Sequence, residues 1–130
     1  MNKTTKITAG FNLFVGASMI LMWVFFYISD AIPELETAPY DIVMHLIAEF
    51  IAAILLILSG IAFIKTYKLQ ESLYYISYGA LMYSIINSSG YFLAPFDIAM
   101  TMMFGSLLIV STGLVLYNTK QIVVSKNKEK

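Results

Sequence analysis

The chain of 130 residues has no cysteine, no arginine and only one histidine. The absence of cysteine excludes a disulfide framework and a thiolate metal site. A single histidine excludes a bis-histidine haem and an HExxH zinc motif, because each needs two imidazoles. No glycine-rich phosphate-binding loop occurs, and arginine, the usual planar partner of phosphate, is missing. We therefore expect no cofactor, no resident metal and no complete catalytic motif.

Charge is also scarce. Charged residues make up 12% of the chain and hydrophobic residues 59%. A soluble domain is about a quarter charged and about half apolar, so this composition does not suit a water-soluble globule. The formal net charge is zero, which argues against nucleic acid as a partner. The expected partner is the lipid bilayer, and the composition predicts an all-α integral membrane protein.

Four long apolar segments are separated by polar linkers. They cover residues 7–29, 42–64, 72–93 and 96–117. Each is long enough to cross about 30 Å of hydrocarbon as a helix. None alternates between apolar and polar residues as a membrane strand would. We predict one domain, residues 1–130, built as an antiparallel bundle of four transmembrane helices.

The polar segments between and after these spans carry their own expectations. The linker of residues 30–41 holds Pro33, Pro39 and several acids, which predicts a solvated loop without helix. The Lys-rich tail of residues 118–130 is expected to be disordered at its end. The first apolar run is too long for a signal peptide and has no A-x-A-like cleavage site after it. We expect it to be a retained helix.

The distribution of lysine predicts the topology. Lysines flank the start of the first span, fill the second linker and occupy the tail, at positions Lys3, Lys6, Lys65, Lys68, Lys120, Lys126, Lys128 and Lys130. The other two linkers contain no lysine and carry acids instead. Because cytoplasmic loops are enriched in basic residues, this pattern puts both termini in the cytoplasm of a plasma-membrane protein.

Two ionisable residues lie inside the second span, His45 and Glu49. An ionisable group at membrane depth costs a few kcal/mol, so its default interpretation is functional. The two residues are four apart and share a helical face, which continues through Ala48, Ala52, Leu56 and Gly60. Small residues on one stripe allow another helix to approach closely. We therefore expect both side chains to point into the bundle.

Other polar residues fall in the outer half of the predicted membrane. The third span carries a stripe that includes Asn87 and Tyr91, the fourth begins near Thr101, and the first ends near Tyr27. The inner half offers Tyr74, Tyr75 and Tyr78, which are typical of an interfacial aromatic belt. The polar residues of the outer half, together with the pair in the second span, predict an outward-facing pocket for ligand binding or proton relay. Its predicted members are His45, Glu49, Asn87, Tyr91, Thr101 and Tyr27.

Several other interpretations of these residues compete. His45 and Glu49 could form a structural pair, since polar contacts between membrane helices average only about 0.6 kcal/mol. His45 and Glu49, with Asp97 near them, could form a site for a hard or borderline metal ion. Separately, Met100, Met102 and Met103 suggest copper, because thioethers suit Cu(I). Adjacent helical positions cannot face the same way, however, and methionine is also an ordinary apolar residue.

A hydrolase is a further alternative, with Ser88 or Ser89 as nucleophile and His45 as base. The sequence NSSG around these serines is not a nucleophile elbow of the G-x-S-x-G kind. Serine also commonly packs membrane helices.

Three functional classes follow from these residues. The leading hypothesis is a ligand-binding or accessory membrane protein that uses the predicted pocket or the acidic linker, with a homodimer or another membrane protein as partner. The second is a proton-coupled transporter of a small molecule that works as a dimer, in which Glu49 exchanges a proton for the ligand and His45 relays it. The third is a membrane enzyme with His45 and Glu49 as an acid and base pair.

Overall fold

The computed structural model describes residues 3–93 and 98–128, with the side chains of 91–93, 125, 126 and 128 left undescribed. All regular structure in those ranges is α-helical. The helices are α1 Lys3–Ile28, α2 Glu34–Thr37, α3 Pro39–Lys65, α4 Gln70–Leu93 and α5 Ile98–Lys128. The predicted all-α class is therefore confirmed.

Three of these helices are long and apolar enough to cross a membrane: α1, α3 and the Ile98–Val124 part of α5. Their length follows from uninterrupted runs of helix-compatible apolar residues without internal proline. The structure supports a membrane protein on this basis. Helix α4 has 24 residues, so at 1.5 Å per residue it is about 36 Å long.

The first linker is not the helix-free loop that its prolines suggest. Helix α2 forms one turn directly after Pro33, and α3 begins at Pro39, three residues before the predicted span. Proline is well tolerated at the start of a helix because the first N–H groups have no helical acceptor. The acids Glu34 and Glu36 suit the positive end of the α2 dipole. Both features that predicted a loop therefore also favour helix starts.

The polar tail is helical as far as Lys128, and its last two residues, where disorder is expected, lie outside the described part of the chain. Helix α5 continues past the predicted end of the span at Tyr117 and ends at Lys128. No proline or glycine follows Gly113, so nothing in the sequence stops the helix. At 31 residues, α5 is about 46 Å long, which exceeds the hydrocarbon thickness by roughly 15 Å.

Helices α1 and α3 form an antiparallel pair with a closely packed seam. Ala9 faces Gly60, and seven residues later Gly16 faces Ala53. A Cβ atom on Gly16 would lie 2.8 Å from the backbone oxygen of Ala53, so the two backbones approach as closely as glycine allows. Another seven residues on, Trp23 meets His45. The seam thus changes from small side chains to aromatic rings at one end.

Two residues in the left-handed region end the helices of this pair. Asp30 has φ 54° after α1, and Thr66 has φ 52° after α3. The backbone N–H of Ala31 donates to Phe26 O, and that of Tyr67 donates to Ala62 O. Bonds of this kind satisfy the last carbonyl groups of a helix and reverse the chain. Thr66 is β-branched, so its positive φ is strained.

Aromatic rings join the first half of α4 to the same pair. Tyr74 packs edge-on against Phe63, and Tyr78 lies with its ring centroid 6.2 Å from that of Phe11. Tyr74 and Tyr78 are 0% and 1% exposed. The prediction of an interfacial belt is therefore wrong for these two residues. Only Tyr75, at 39% exposed, has the accessibility that a belt requires.

The chain divides into two compact units, Met1–Leu81 and Met82–Lys130. The first contains α1, α2, α3 and the first half of α4, and its core is the α1–α3 seam with the Tyr74 and Tyr78 rings. The second contains the rest of α4 and α5. Among its buried residues are Ile85, Phe104 and Ser111. The Ser111 hydroxyl donates to Leu107 O, which keeps a polar side chain satisfied within its own helix.

Candidate functional site

Glu49 is the buried carboxylate of the first unit. It lies on α3 and is 4% exposed. His45, one turn earlier, is 20% exposed at its side chain, and its Nε2 lies 3.9 Å from Glu49 Oε1. That distance is too long for a direct hydrogen bond but short enough for an ion pair when the imidazole is protonated. The structure thus brings together the two residues that the sequence singled out first.

Trp23 of α1 packs against His45. Its ring meets the imidazole of His45 edge-on, with centroids 5.6 Å apart and planes at 77°. Phe26 packs on the other side of the indole, also edge-on, at 5.8 Å. The indole Nε1 is buried and has no hydrogen-bond partner among the described residues. Trp23 therefore offers an unused donor in the aromatic wall beside His45.

The contact of Trp23 with His45 was not predicted from the sequence. Trp23 lies near the end of the first predicted span, where aromatic residues are common at a membrane interface. The available signal was its heptad spacing from Ala9 and Gly16, which places it on the packed face of α1. Only the antiparallel register of α1 and α3 shows that this face meets His45.

The seam closes directly beyond Glu49. The predicted stripe on α3 is buried at Ala52, Leu56 and Gly60, whereas Ala48 is exposed. Gly16 of α1 packs against Ala53, one turn from Glu49, with no room for a Cβ atom. Glu49 therefore lies on α3 between a closely packed contact of the two helices and the partly exposed His45.

Tyr27 lies one turn beyond Trp23 and is 71% exposed. It lines an open groove of about 520 Å³ at the end of α1, together with Phe26, Ile28, Asp30, Ile32 and Leu35. The structure thus places Tyr27 in this groove, and its part in a pocket with Glu49 stays a prediction.

The other predicted pocket residues belong to the second unit. Asn87 is exposed on α4, and Thr101 is half-buried on α5. Ser84 and Ser88, on the same stripe of α4, are buried at 7% and 5% exposure. The side chain of Tyr91 and the whole of Asp97 lie outside the described residues. The inclusion of Asn87, Tyr91 and Thr101 in the site of Glu49 stays a prediction.

The opposite end of the seam holds polar residues that the sequence analysis overlooked. Thr8, Asn12 and Ser59 are all 0% exposed. Asn12 Nδ2 donates to Ser59 Oγ across the α1–α3 contact at 3.1 Å. The expectation that the intramembrane polar groups share one half of the membrane is therefore wrong. The signal was present in the sequence, since Thr8, Asn12 and Gly16 repeat every four residues on one helical face.

The metal and hydrolase alternatives gain no support from the described geometry. Within residues 3–93 and 98–128, no three side chains of histidine, aspartate or glutamate come together as a metal site needs. Met102 and Met103 are 69% and 44% exposed. The Ser89 hydroxyl donates to Ile85 O within its own helix, which is the ordinary structural role of serine there.

Comparison with known proteins gives a family and no function. No curated protein and no solved structure matches the sequence. A family model described as a domain of unknown function, DUF8058, matches residues 1–130. Because that match covers all 130 residues, the chain belongs to the DUF8058 family.

Proposed function

We propose that this protein is a four-span plasma-membrane protein with both termini in the cytoplasm, and that it binds a ligand at Glu49 from the outer face. The fourth span is α4. Its mean hydropathy is lowered by tyrosine and serine, but Tyr74, Ser77, Tyr78 and Ser84 are buried inside the protein. Polar side chains that are covered by protein add little to the cost of a membrane helix.

The observation that carries the proposal is the burial of Glu49 on a helix apolar enough to cross a membrane. Desolvating a carboxylate there is expensive, so we infer that it is retained for a purpose. The tight packing of Gly16 against Ala53 supports binding from one side in preference to passage along the α1–α3 seam. The unused indole N–H of Trp23 adds a donor for the ligand.

Native mass spectrometry tests this proposal directly. The protein is purified in mild detergent beside the Glu49→Gln and Trp23→Phe variants. We expect a small mass that stays with the native protein, is lost from Glu49→Gln and is reduced in Trp23→Phe. The phenylalanine ring keeps the aromatic contact with His45 but removes the indole donor, so its effect separates hydrogen bonding from packing.

Glu36→Gln is the matched control, because it makes the same chemical change at an exposed acid of α2. It should retain the bound mass of the native protein. Identical bare monomers for the native protein and Glu49→Gln would contradict ligand binding at this carboxylate. They would favour a structural role for the pair, with function carried by a protein partner.

Proton-coupled transport by a dimer is the second candidate. The observation that favours it is the gradient of exposure, in which His45 lies between solvent and the buried Glu49. An imidazole in that place can pass a proton to and from the carboxylate. Proteoliposomes would then show ligand-dependent proton flux that Glu49→Gln abolishes without unfolding the protein. Ligand binding without such proton flux would contradict transport and would favour the ligand-binding proposal.

A further inference from the structure

The groove at the end of α1 combines aromatic and aliphatic side chains with a carboxylate. It lies where the chain turns from α1 toward α2, and the backbone N–H of Asp30 donates to Tyr27 O in that turn. Phe26 and Tyr27 of α1 line it together with Leu35 of α2. Its volume of about 520 Å³ falls within the range of small-molecule sites. The groove therefore has the size and the mixed lining that a small ligand needs.

Part of this lining is held in place by packing inside the first unit. Ile32 is 7% exposed, whereas Tyr27 is 71% exposed. Phe26 packs edge-on against Trp23, which packs in turn against His45 of α3. The groove thus offers one aromatic ring that is supported from within and another that is open to solvent.

The charges near the groove have a single sign. Between residues 7 and 64 the chain contains five acids and neither lysine nor arginine. Four of these acids lie in or beside the segment that joins α1 to α3, and they are Asp30, Glu34, Glu36 and Asp41. None of the four forms an ion pair within the part of the chain that the structure describes. An anion near the groove would therefore be repelled, and a cation attracted.

The lysines of the first unit are too far away to neutralise these acids. Lys6 and Lys65, near the opposite ends of α1 and α3, are each 24 residues from the nearest of the four, which corresponds to roughly 36 Å of helix. Charges in solvent are largely screened beyond about 8 Å at physiological ionic strength. The negative charge at this end of the helix pair is therefore uncompensated by the first unit itself.

We infer that the groove binds an organic cation, an ammonium group carried on an apolar body. Aromatic rings attract a cation within about 6 Å of the ring centroid, and Phe26 and Tyr27 supply two rings. The Asp30 carboxylate provides the opposite charge, and the aliphatic side chains of the groove cover the apolar body. This site is separate from the one proposed at Glu49, so the inference does not rest on the proposed function.

Two probes of similar size and opposite charge test the inference on the native protein. Ligand-observed NMR measures the Kd of phenyltrimethylammonium and of benzenesulfonate with the protein purified in a non-ionic detergent. We expect saturable binding of the cation and binding of the anion that is at least about tenfold weaker. Both probes carry a phenyl ring, so equal affinities would indicate an unselective apolar surface. That result, or no binding of the cation, would overturn the inference.

Asp30→Asn tests the carboxylate of the groove. Asparagine also tolerates the φ of 54° at this position, so the turn should be kept. We expect the Kd of phenyltrimethylammonium to rise about two- to fivefold, as for the loss of an exposed charge pair. Asp41→Asn is the matched control at an exposed acid that does not line the groove, and its Kd should stay near the native value. Equal effects of the two variants would overturn the inference.

Tyr27→Leu tests the aromatic contribution, because leucine keeps an apolar side chain but removes the ring. We expect the Kd of phenyltrimethylammonium to rise about two- to fivefold, whereas Tyr27→Phe keeps the ring and should bind nearly as the native protein does. The same Kd for both variants would overturn the inference.

Glu49→Gln separates this site from the one proposed above. Its Kd for phenyltrimethylammonium should equal that of the native protein. Loss of binding in Glu49→Gln would place the cation at Glu49, which would overturn this inference and support the proposed function. Unchanged binding there, with a weakened Asp30→Asn, would support the groove as the site whatever the outcome at Glu49.

Discussion

At the scale of single residues, Glu49 and Asn12 show two ways of placing a polar group in the same helix pair. Asn12 faces a polar partner across the seam and bonds to Ser59. Glu49 is also buried, at 4% exposure, but its carboxylate lies at ion-pair distance from Nε2 of His45. The first arrangement stabilises a contact between helices, whereas the second keeps a carboxylate within reach of a titratable, partly exposed group.

Glu49→Leu should therefore not destabilise the fold. Leucine fills a similar volume, and it removes a carboxylate whose desolvation opposes folding. We expect the free energy of unfolding to stay the same or to rise, as measured by denaturant titration in detergent micelles and followed by the fluorescence of the single Trp23. A decrease of more than about 2 kcal/mol would show that Glu49 holds the helices together.

At the scale of helices, the packing of α1 on α3 depends on glycine at two positions. A Cβ atom on Gly16 would meet Ala53 O and Ile57 Cγ1 at 2.8 Å, and one on Gly60 would meet Leu13 Cγ at 2.8 Å. Real Cβ atoms do not approach so closely, so the helices must separate to admit a side chain. Interhelical attraction in lipid comes largely from such close packing.

Gly16→Ala should accordingly lower the free energy of unfolding by about 1–3 kcal/mol, the usual range for overpacking. Gly10→Ala is the matched control on the same helix, because a Cβ atom there meets nothing within 4 Å. It should be neutral or slightly stabilising, since alanine favours helix over glycine. The two variants are compared in the same detergent titration, and equal effects would contradict the close seam.

At the scale of the whole molecule, the distribution of lysine and the lengths of the helices predict a topology with both termini in the cytoplasm. Chemical labelling can test this prediction. The chain has no cysteine, so each introduced cysteine reports alone. We expect a membrane-impermeant maleimide to label Glu36→Cys on intact cells. Lys68→Cys and Asn127→Cys should react only after the cells are permeabilised, because basic linkers stay in the cytoplasm. Labelling of Asn127→Cys from outside would reverse the predicted orientation.

Whether α4 crosses the membrane is a separate question with its own test. If α4 crosses, Asp97→Cys and Lys68→Cys lie on opposite sides, and only the former reacts on intact cells. The reason to expect this is that the tyrosines and serines of α4 are buried in protein. The same accessibility for both positions would show that α4 does not span, and that the membrane domain contains three helices.

The sequence by itself determined the helical class, the apolar character of the long helices and the shared helical face of His45 and Glu49. Long apolar runs can satisfy their backbone hydrogen bonds in lipid only as helices or closed barrels, so composition and length were sufficient. The i, i+4 spacing put the two side chains on one face without any tertiary information. Helix starts after Pro33 and at Pro39 were missed, because proline ends a helix at one position and begins one at another.

Only the tertiary structure decided which faces meet. The antiparallel register of α1 and α3 brings Trp23 to His45 and Asn12 to Ser59, and these are pairs of residues 22 and 47 positions apart in the chain. The packing of α4 against Phe63 and Phe11 accompanies the burial of Tyr74 and Tyr78, which their position in the inner half of a predicted span had assigned to an interface. A helical pattern specifies a face, but its partner depends on how closely two backbones can approach, and here that depends on Gly16 and Gly60.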